Sequence, residues 1–178
     1  MTDRSDNVEL LPDAWISADG YYRYDLRRSW GAPEAPQICW VMLNPSTADA
    51  TQDDPTIRRC VGFSKAWGFG SLIVVNLFAL RATDPKDLLT SVVSPIGPEN
   101  DACIERAVRN AECVMAAWGT KGTFRNRDGL VTDLIVNAGR NIHCLDRTKG
   151  GHPKHPLYVK GNTRPAIFAL GHSGSSGD

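Results

Sequence analysis

The chain has 178 residues, of which 42% are hydrophobic and 22% charged, and its formal net charge is zero. The length and composition are typical of one globular domain, and the zero net charge argues against a general nucleic-acid binder. No stretch of about 18 apolar residues could span a bilayer, and the acidic start lacks the features of a secretory signal. We therefore expect a cytoplasmic protein without a membrane partner.

The first predicted element is an antiparallel hairpin over residues 15–30, because aromatic residues alternate on both sides of the turn Ala18-Asp19-Gly20. Four short apolar runs follow. They are rich in Val and Ile and continuous rather than alternating, which is typical of strands buried on both faces. These runs are residues 38–43, 72–77, 113–118 and 142–145.

Helical patterns separate these runs. Asp54 and Pro55 provide an N-cap and a first-turn proline for a helix that ends near Gly68, and two further helices are predicted over residues 98–112 and 128–138. The alternating order predicts a three-layer α/β/α sandwich around a central, mainly parallel four-stranded sheet. We expect one domain over residues 1–170, with its core at about residues 38–160, and a disordered Gly/Ser-rich tail at residues 171–178.

Five cysteines occur along the chain, an odd number without a C-x-x-C pair. We interpret them as small core residues rather than as disulfide or zinc ligands. The basic residues are unevenly distributed, since residues 140–164 hold six Lys or Arg and a single acidic residue. This asymmetry predicts one anion-facing edge on a neutral protein, although solvated surface loops explain it as well.

Ligands of such sheets bind beyond the carboxyl ends of the strands, so the loop after the first run is a candidate site. It is dense in short polar side chains: Asn44, Ser46, Thr47, Asp49, Thr51, Asp53 and Asp54. A carboxamide here could contact a substrate's hydrogen-bonding edge and a carboxylate could orient a water. Each residue could instead satisfy loop backbone groups, and Asp54 could act only as a helix cap.

The second apolar run contains Asn76, a carboxamide that is costly to bury unless it is paired. It either pairs with a neighbouring loop or points toward the ligand crevice. Arg81 follows, a natural partner for phosphate or carboxylate, although a salt bridge to Asp84 or Asp87 would also explain it.

The third loop is basic and glycine-rich, with three cations near two aromatic residues. Its amides could hold an anion and its aromatics could stack on a base, but the Walker pattern is absent. The residues are Lys121, Arg125 and Arg127 beside Trp118 and Phe124.

The fourth loop contains Lys149, His152, Lys154, His155 and Tyr158. The two histidines could ligate a metal, but prolines interrupt the segment and no third ligand is evident. A histidine that donates a hydrogen bond to developing negative charge fits better.

Two sequence blocks, residues 40–85 and 149–159, resemble the bacterial and phage family catalogued as domain of unknown function 1643, and the match covers roughly residues 38–158. The most specific matches are Asn44-Pro45-Ser46, Asp54-Pro55-Thr56 and His155-Pro156-Leu157-Tyr158. This resemblance by itself implies little about activity.

The order of features is also similar to that of the uracil-DNA glycosylase superfamily: a strand, a polar Pro-containing loop, a helix, a strand with Asn, and a late His-Pro loop. That resemblance implies that Asn44, or one of Asp53 and Asp54, handles the hydrolytic water. It also implies that Asn76 binds the base edge and that His155 stabilises the oxygen of the departing base. Lys149 and Lys154 would grip the backbone of a nucleic acid whose base is extruded. The Gly-rich first motif, the His-Pro-Ser ending and an iron-sulfur cysteine set are missing.

The sequence and its resemblances therefore predict a DNA-glycosylase-like hydrolase acting on a nucleobase N-glycosidic bond, in DNA or in a nucleoside-like substrate. It would need no metal or other cofactor, and nucleic acid or a nucleobase-containing molecule would be its partner. The alternatives are a non-catalytic nucleotide or nucleic-acid binding module and a metal-dependent hydrolase. The predicted catalytic residues are Asn44, Asp53, Asp54 and His155, and the predicted substrate-binding residues are Ser46, Asn76, Arg81, Lys149, His152 and Tyr158.

Overall fold

A computed structural model describes residues 13–46, 48 and 51–172, which form a mixed α/β structure. The strands are β1 (Asp13–Ile16), β2 (Arg23–Ser29), β3 (Gln37–Met42), β4 (Ser71–Asn76), β5 (Cys113–Ala116), β6 (Ile142–Cys144) and β7 (Ala166–Ala169). The α-helices are α1 (Pro55–Ala66), α2 (Asp87–Thr90), α3 (Asn100–Asn110) and α4 (Arg127–Asn137), and 3-10 helices occupy Thr120–Asn126 and Pro156–Tyr158.

The strands form one sheet in the order β1-β2-β4-β3-β5-β6-β7. The four apolar runs are its parallel centre, as predicted, since β3 pairs with β4 and β5, and β5 pairs with β6, all in parallel. The prediction of a four-stranded sheet is wrong. The hairpin strand β2 pairs antiparallel with β4, and β7 pairs antiparallel with β6. These additions cover the two edges that a four-stranded sheet would leave unpaired.

The three predicted helices are present as α1, α3 and α4, with local signals near their ends. The Asp54 carboxylate accepts a 2.8 Å hydrogen bond from the Ile57 amide and so caps α1. Just beyond α4, Gly139 adopts a φ of 77°, a left-handed conformation that favours glycine. The short helix α2 and the 3-10 segments were not predicted.

Helices cover both faces of the sheet. On one face α1 packs Ile57, Cys60 and Phe63 against Trp40 of β3. The other face is covered by α3 and α4, whose buried residues include Ile104, Val108, Val131 and Ile135. The site described below lies on the α1 side of the sheet.

The cysteines have no disulfide partners, and all except the partly exposed Cys113 are buried. In the portion of the chain that the structure describes, no helix is long and apolar enough to cross a membrane. Of the predicted disordered tail, residues 173–178 lie outside the described residues. The backbone amides of Gly171 and His172 donate 2.9 Å hydrogen bonds to Asn141 Oδ1 and to the Val136 carbonyl.

Candidate functional site

A cavity of about 280 Å³ lies at the carboxyl edge of the central strands. The chain passes from β3 to β4 on one side and then to β5 on the other side of β3, and such a reversal of strand order is where open α/β sheets bind ligands. Apolar side chains of Met42, Val74 and Ile57 contribute to the lining. The polar lining comes from Arg23, Asn44, Ser46, Asp54, Thr56, Asn76, Thr83 and His155, with the indole of Trp118.

Asn76 is the last residue of β4 and is only 1% exposed. Neither its side-chain nitrogen nor its side-chain oxygen has a hydrogen-bond partner among the described residues. Its backbone carbonyl, by contrast, accepts a 2.9 Å hydrogen bond from the side-chain Nδ2 of Asn100, which fixes the end of the strand. A buried amide without partners is costly. Asn76 therefore offers a donor and an acceptor that a ligand in the cavity could satisfy.

Asn44 connects two of the loops around the cavity. Its Nδ2 donates 2.9 Å hydrogen bonds to the carbonyls of Pro45 and Ala82. Both amide hydrogens are thereby used, so Oδ1 is the atom left to accept a bond from a ligand or a water. The Asn44 side chain thus holds the two loops together, and its Oδ1 remains available as a hydrogen-bond acceptor.

Asp54 has two roles in this arrangement. Its Oδ1 caps helix α1, while its Oδ2 accepts a 2.7 Å hydrogen bond from the Ser46 hydroxyl, and both residues line the cavity. The structural and the functional interpretations of Asp54 are therefore compatible. The cap fixes the carboxylate at the amino end of α1, beside the cavity.

His155 also lines this cavity. It belongs to the fourth loop of the sequence, here called the late loop, which runs from Lys149 to Tyr158. The Leu157 amide lies 3.2 Å from Nδ1 of His155 and donates to it, so the neutral ring carries its proton on Nε2. Burial lowers the pKa of His155, and the nearby Asp54 carboxylate opposes that shift. The loop is fastened to α1 by Arg59, which donates to the carbonyls of Pro156 and Val159. A neutral Nε2–H donor results.

Arg23 was not predicted as a site residue, and Trp118 was predicted only as part of a basic loop. Arg23 opens β2, is 2% exposed and donates to the Ala48 carbonyl, while its Nε has no described partner. Trp118 is 3% exposed and its Nε1 also lacks a described partner. No local signal distinguishes Arg23, because residues 22–26 are all buried and only the position of β2 beside β4 brings it to the cavity.

Asp53 does not line this cavity, although it was predicted together with Asp54. Its Oδ1 lies 2.7 Å from Arg28 Nε in an ion pair. Asp49, the third carboxylate of the loop, lies outside the described residues. The helix cap explains the difference between the two neighbours, since Asp54 must turn toward the amides of α1.

Four further predicted residues lie away from the lining. Arg81 is exposed and donates a 3.4 Å bond to the Gly20 carbonyl. Lys149 is exposed, and Tyr158 is 79% exposed with its ring 5.7 Å from that of His155. His152 lines a different cavity, of about 430 Å³, that shares Trp118 with the first.

The two histidines of the late loop are thus separated. Within the described ranges, no group of three or more His, Cys, Asp or Glu side chains is arranged to hold a metal ion. Lys154, also predicted to contact nucleic acid, forms a 2.7 Å ion pair with Asp146.

The sequence profile of a family described as "Protein of unknown function (DUF1643)" matches residues 23–157. The chain belongs to this family. The match covers β2 through the late His-Pro loop, and so includes every cavity residue named above from Arg23 to Leu157. Searches of curated proteins and of solved structures found no significant match. For this member of the family, the likeness to uracil-DNA glycosylases stays a prediction.

Proposed function

We propose that this protein is a glycosylase-type hydrolase that cleaves the N-glycosidic bond of a nucleobase, in DNA or in a smaller nucleoside-like substrate. The proposal rests mainly on the side-chain amide of Asn76, which lies in the cavity wall and has no hydrogen-bond partner among the described residues. Its adjacent donor and acceptor complement the edge of a nucleobase, which likewise presents neighbouring donors and acceptors. A cavity of about 280 Å³ suits one extruded base better than a larger ligand.

The other polar groups then take roles around the bond that breaks. The Asp54 carboxylate, with Ser46 and the Oδ1 of Asn44, orients a water toward the anomeric carbon. As the new carbon–oxygen bond forms, the carbon–nitrogen bond breaks and the base leaves with the electron pair. The water's proton passes to Asp54 or to solvent.

His155 acts on the departing base. Its Nε2–H donates a hydrogen bond to the negative charge that develops on a base oxygen or nitrogen. The neutral form suits this task, because the lowered pKa keeps the ring uncharged and its tautomer fixed near neutral pH. The base is protonated as it leaves the cavity.

Nucleic acid is the proposed partner, and the basic late segment of the chain supports it. Six Lys or Arg residues lie between residues 140 and 164 with one acidic residue, and several of them are exposed near the loop that contains His155. Such a surface attracts a polynucleotide through its phosphates and holds it while a base is extruded.

The test is an incubation of the protein with oligonucleotides containing modified bases and with free nucleosides, followed by mass spectrometry of released base. We expect release from at least one substrate, and loss of that release in Asn44→Ala and His155→Gln variants that remain folded. Release that persists at the wild-type rate in both variants would refute the proposed site.

One observation favours a second function, a non-catalytic nucleotide or nucleic-acid binding module. Both carboxylate oxygens of Asp54 already accept hydrogen bonds, from the Ser46 hydroxyl and from the Ile57 amide, which leaves the carboxylate less acceptor capacity for a hydrolytic water. Binding that survives the triple variant Asp53→Asn, Asp54→Asn, His155→Gln, with no released base under any condition, would identify a binding module.

A further inference from the structure

Arg23 is a buried cation that has no ionic partner among the described residues. Its residue is 2% exposed and lies in the cavity wall, where the described residues satisfy one of its N–H groups, through the Ala48 carbonyl. Across the described part of the chain, no carboxylate oxygen lies within 4.0 Å of its guanidinium. The Nε atom is buried and has no hydrogen-bond partner in the described part of the chain. A guanidinium offers five N–H donors in one plane, and the donor on Nε is the one that lacks an acceptor among the described residues.

The other buried arginines of the described structure differ in this respect. Arg28 pairs with Asp53 at 2.7 Å, and Arg127 pairs with Asp101 at 2.7 Å. Burying a charge is expensive unless an opposite charge compensates it. Arg23 lines the cavity, and the residues that the structure describes supply no ion pair that compensates its charge.

Asp54 does not fill this place. Of the acidic residues, Asp54 raises the pKa of Arg23 most strongly. Its two carboxylate oxygens, however, accept hydrogen bonds from the Ser46 hydroxyl and from the Ile57 amide of α1. Burial lowers the pKa of Arg23 to about 10, so the group still carries its positive charge at neutral pH. A cation remains directed at the cavity.

A second cation lies close by. Repulsion from Arg81 further lowers the pKa of Arg23, and the 3.4 Å bond to the Gly20 carbonyl is a long contact for Arg81. Arg81 does not line the cavity but directly precedes Ala82 and Thr83, which do, and an anion between the two guanidiniums would relieve their repulsion. A phosphate group suits this place, since it carries up to two negative charges and matches the planar guanidinium with paired oxygens.

We propose that Arg23 is a specificity-determining residue that binds a phosphate group of a nucleotide inside the cavity, with Arg81 at the rim as a second contact. The proposal rests on the proposed function, because it assigns the base of the same nucleotide to Asn76. It narrows the substrate class to nucleotides whose phosphate enters the cavity, either the monoester of a free nucleotide or the diester of a strand.

The experiment compares binding of deoxynucleosides, of their 5′-monophosphates and of the methyl esters of those monophosphates by isothermal titration calorimetry. For the wild-type protein we expect phosphate-bearing ligands to bind at least about tenfold more tightly than the nucleosides, as a charge-assisted pair provides. Tighter binding of the monoester indicates a free nucleotide, and equal binding of the diester indicates a strand. Either result supports the proposal.

The variant Arg23→Gln should bind nucleosides within about twofold of wild type and lose the preference for phosphate. Arg28→Gln is the matched control, because it removes a buried arginine of the same strand whose partner is Asp53, and it should keep the preference. If neither variant folds, the wild-type comparison still decides. Equal binding of nucleosides and monophosphates by the wild-type protein, or an undiminished preference in Arg23→Gln, would overturn the proposal.

These binding measurements do not depend on turnover. The phosphate-binding proposal for Arg23 and the hydrolase proposal can therefore be refuted independently of each other. A phosphate preference that depends on Arg23 without any base release supports the Arg23 proposal and contradicts the hydrolase. Base release without a phosphate preference overturns the Arg23 proposal and leaves the hydrolase standing.

Discussion

Asn76→Leu should make the protein more stable while abolishing its ligand binding and any turnover. The amide is 1% exposed and both of its polar atoms lack described partners. Burying such a group costs about 1–3 kcal/mol in proteins. Leucine has a similar shape and would contact the apolar wall formed by Met42, Val74 and Ile57. We therefore expect the free energy of unfolding to rise by about 1–3 kcal/mol.

The assay is urea denaturation of both proteins, followed by circular dichroism, together with the base-release measurement. Asn100→Leu is the matched control. Asn100 is also fully buried, but its Nδ2 donates to the carbonyls of Asn76 at 2.9 Å and Leu77 at 3.1 Å. Removing these bonds should lower the free energy of unfolding by about 2 kcal/mol. A loss of stability in Asn76→Leu comparable to that of the control would show that the Asn76 amide is already paired, and would refute the reasoning.

Three further predictions concern the acidic residues and the histidine. Asp54→Asn should keep the helix cap, so its free energy of unfolding should stay within about 1 kcal/mol of the wild-type value. Its rate of base release should fall at least about 100-fold. Release at the wild-type rate would exclude Asp54 from the reaction. Asp53→Asn should lower the free energy of unfolding by about 1 kcal/mol, because it removes the partly buried ion pair with Arg28. Asp53 lies outside the cavity, so base release should be retained. A loss of base release as large as that of Asp54→Asn would contradict this placement. Burial lowers the pKa of His155, so below pH 6.5 the unfolded chain binds a proton more readily than the folded chain. Stability contributed by the neutral ring is present above pH 6.5 and is lost as pH falls toward the folded pKa. Urea denaturation from pH 7.5 to 5 should therefore show the wild type losing more stability than His155→Gln, and parallel curves would contradict the shift.

Much of the architecture follows from local signals. The strands β3, β4, β5 and β6 are continuous apolar runs, and Asp54-Pro55 marks the start of α1 whatever surrounds it. The convergence of Asn44, Asp54, Asn76 and His155 on one cavity was foreseeable for a similar reason, because the carboxyl ends of parallel strands meet at one edge of a sheet. Their chemical roles stay predictions.

The outer strands of the sheet and the position of Arg23 depend on strand pairing between segments that are distant in the sequence. The short apolar segment Ala166–Ala169 was not predicted as a strand, and nothing within the hairpin indicates that β2 would join β4 and extend the sheet. That pairing buries Arg23 in the cavity wall, where it became part of the candidate site without a sequence motif.

Local sequence patterns predict the strands of the parallel centre. They also place polar side chains after β3 and at Asn76, the last residue of β4. Tertiary structure alone determined which of them share the cavity. Asp53 and Asp54 are adjacent and chemically equivalent in the chain, yet one pairs with Arg28 and the other caps α1 at the cavity. The physical reason is that a side chain's direction depends on the partners that distant segments bring to it, and here β2 supplied both Arg28 and Arg23.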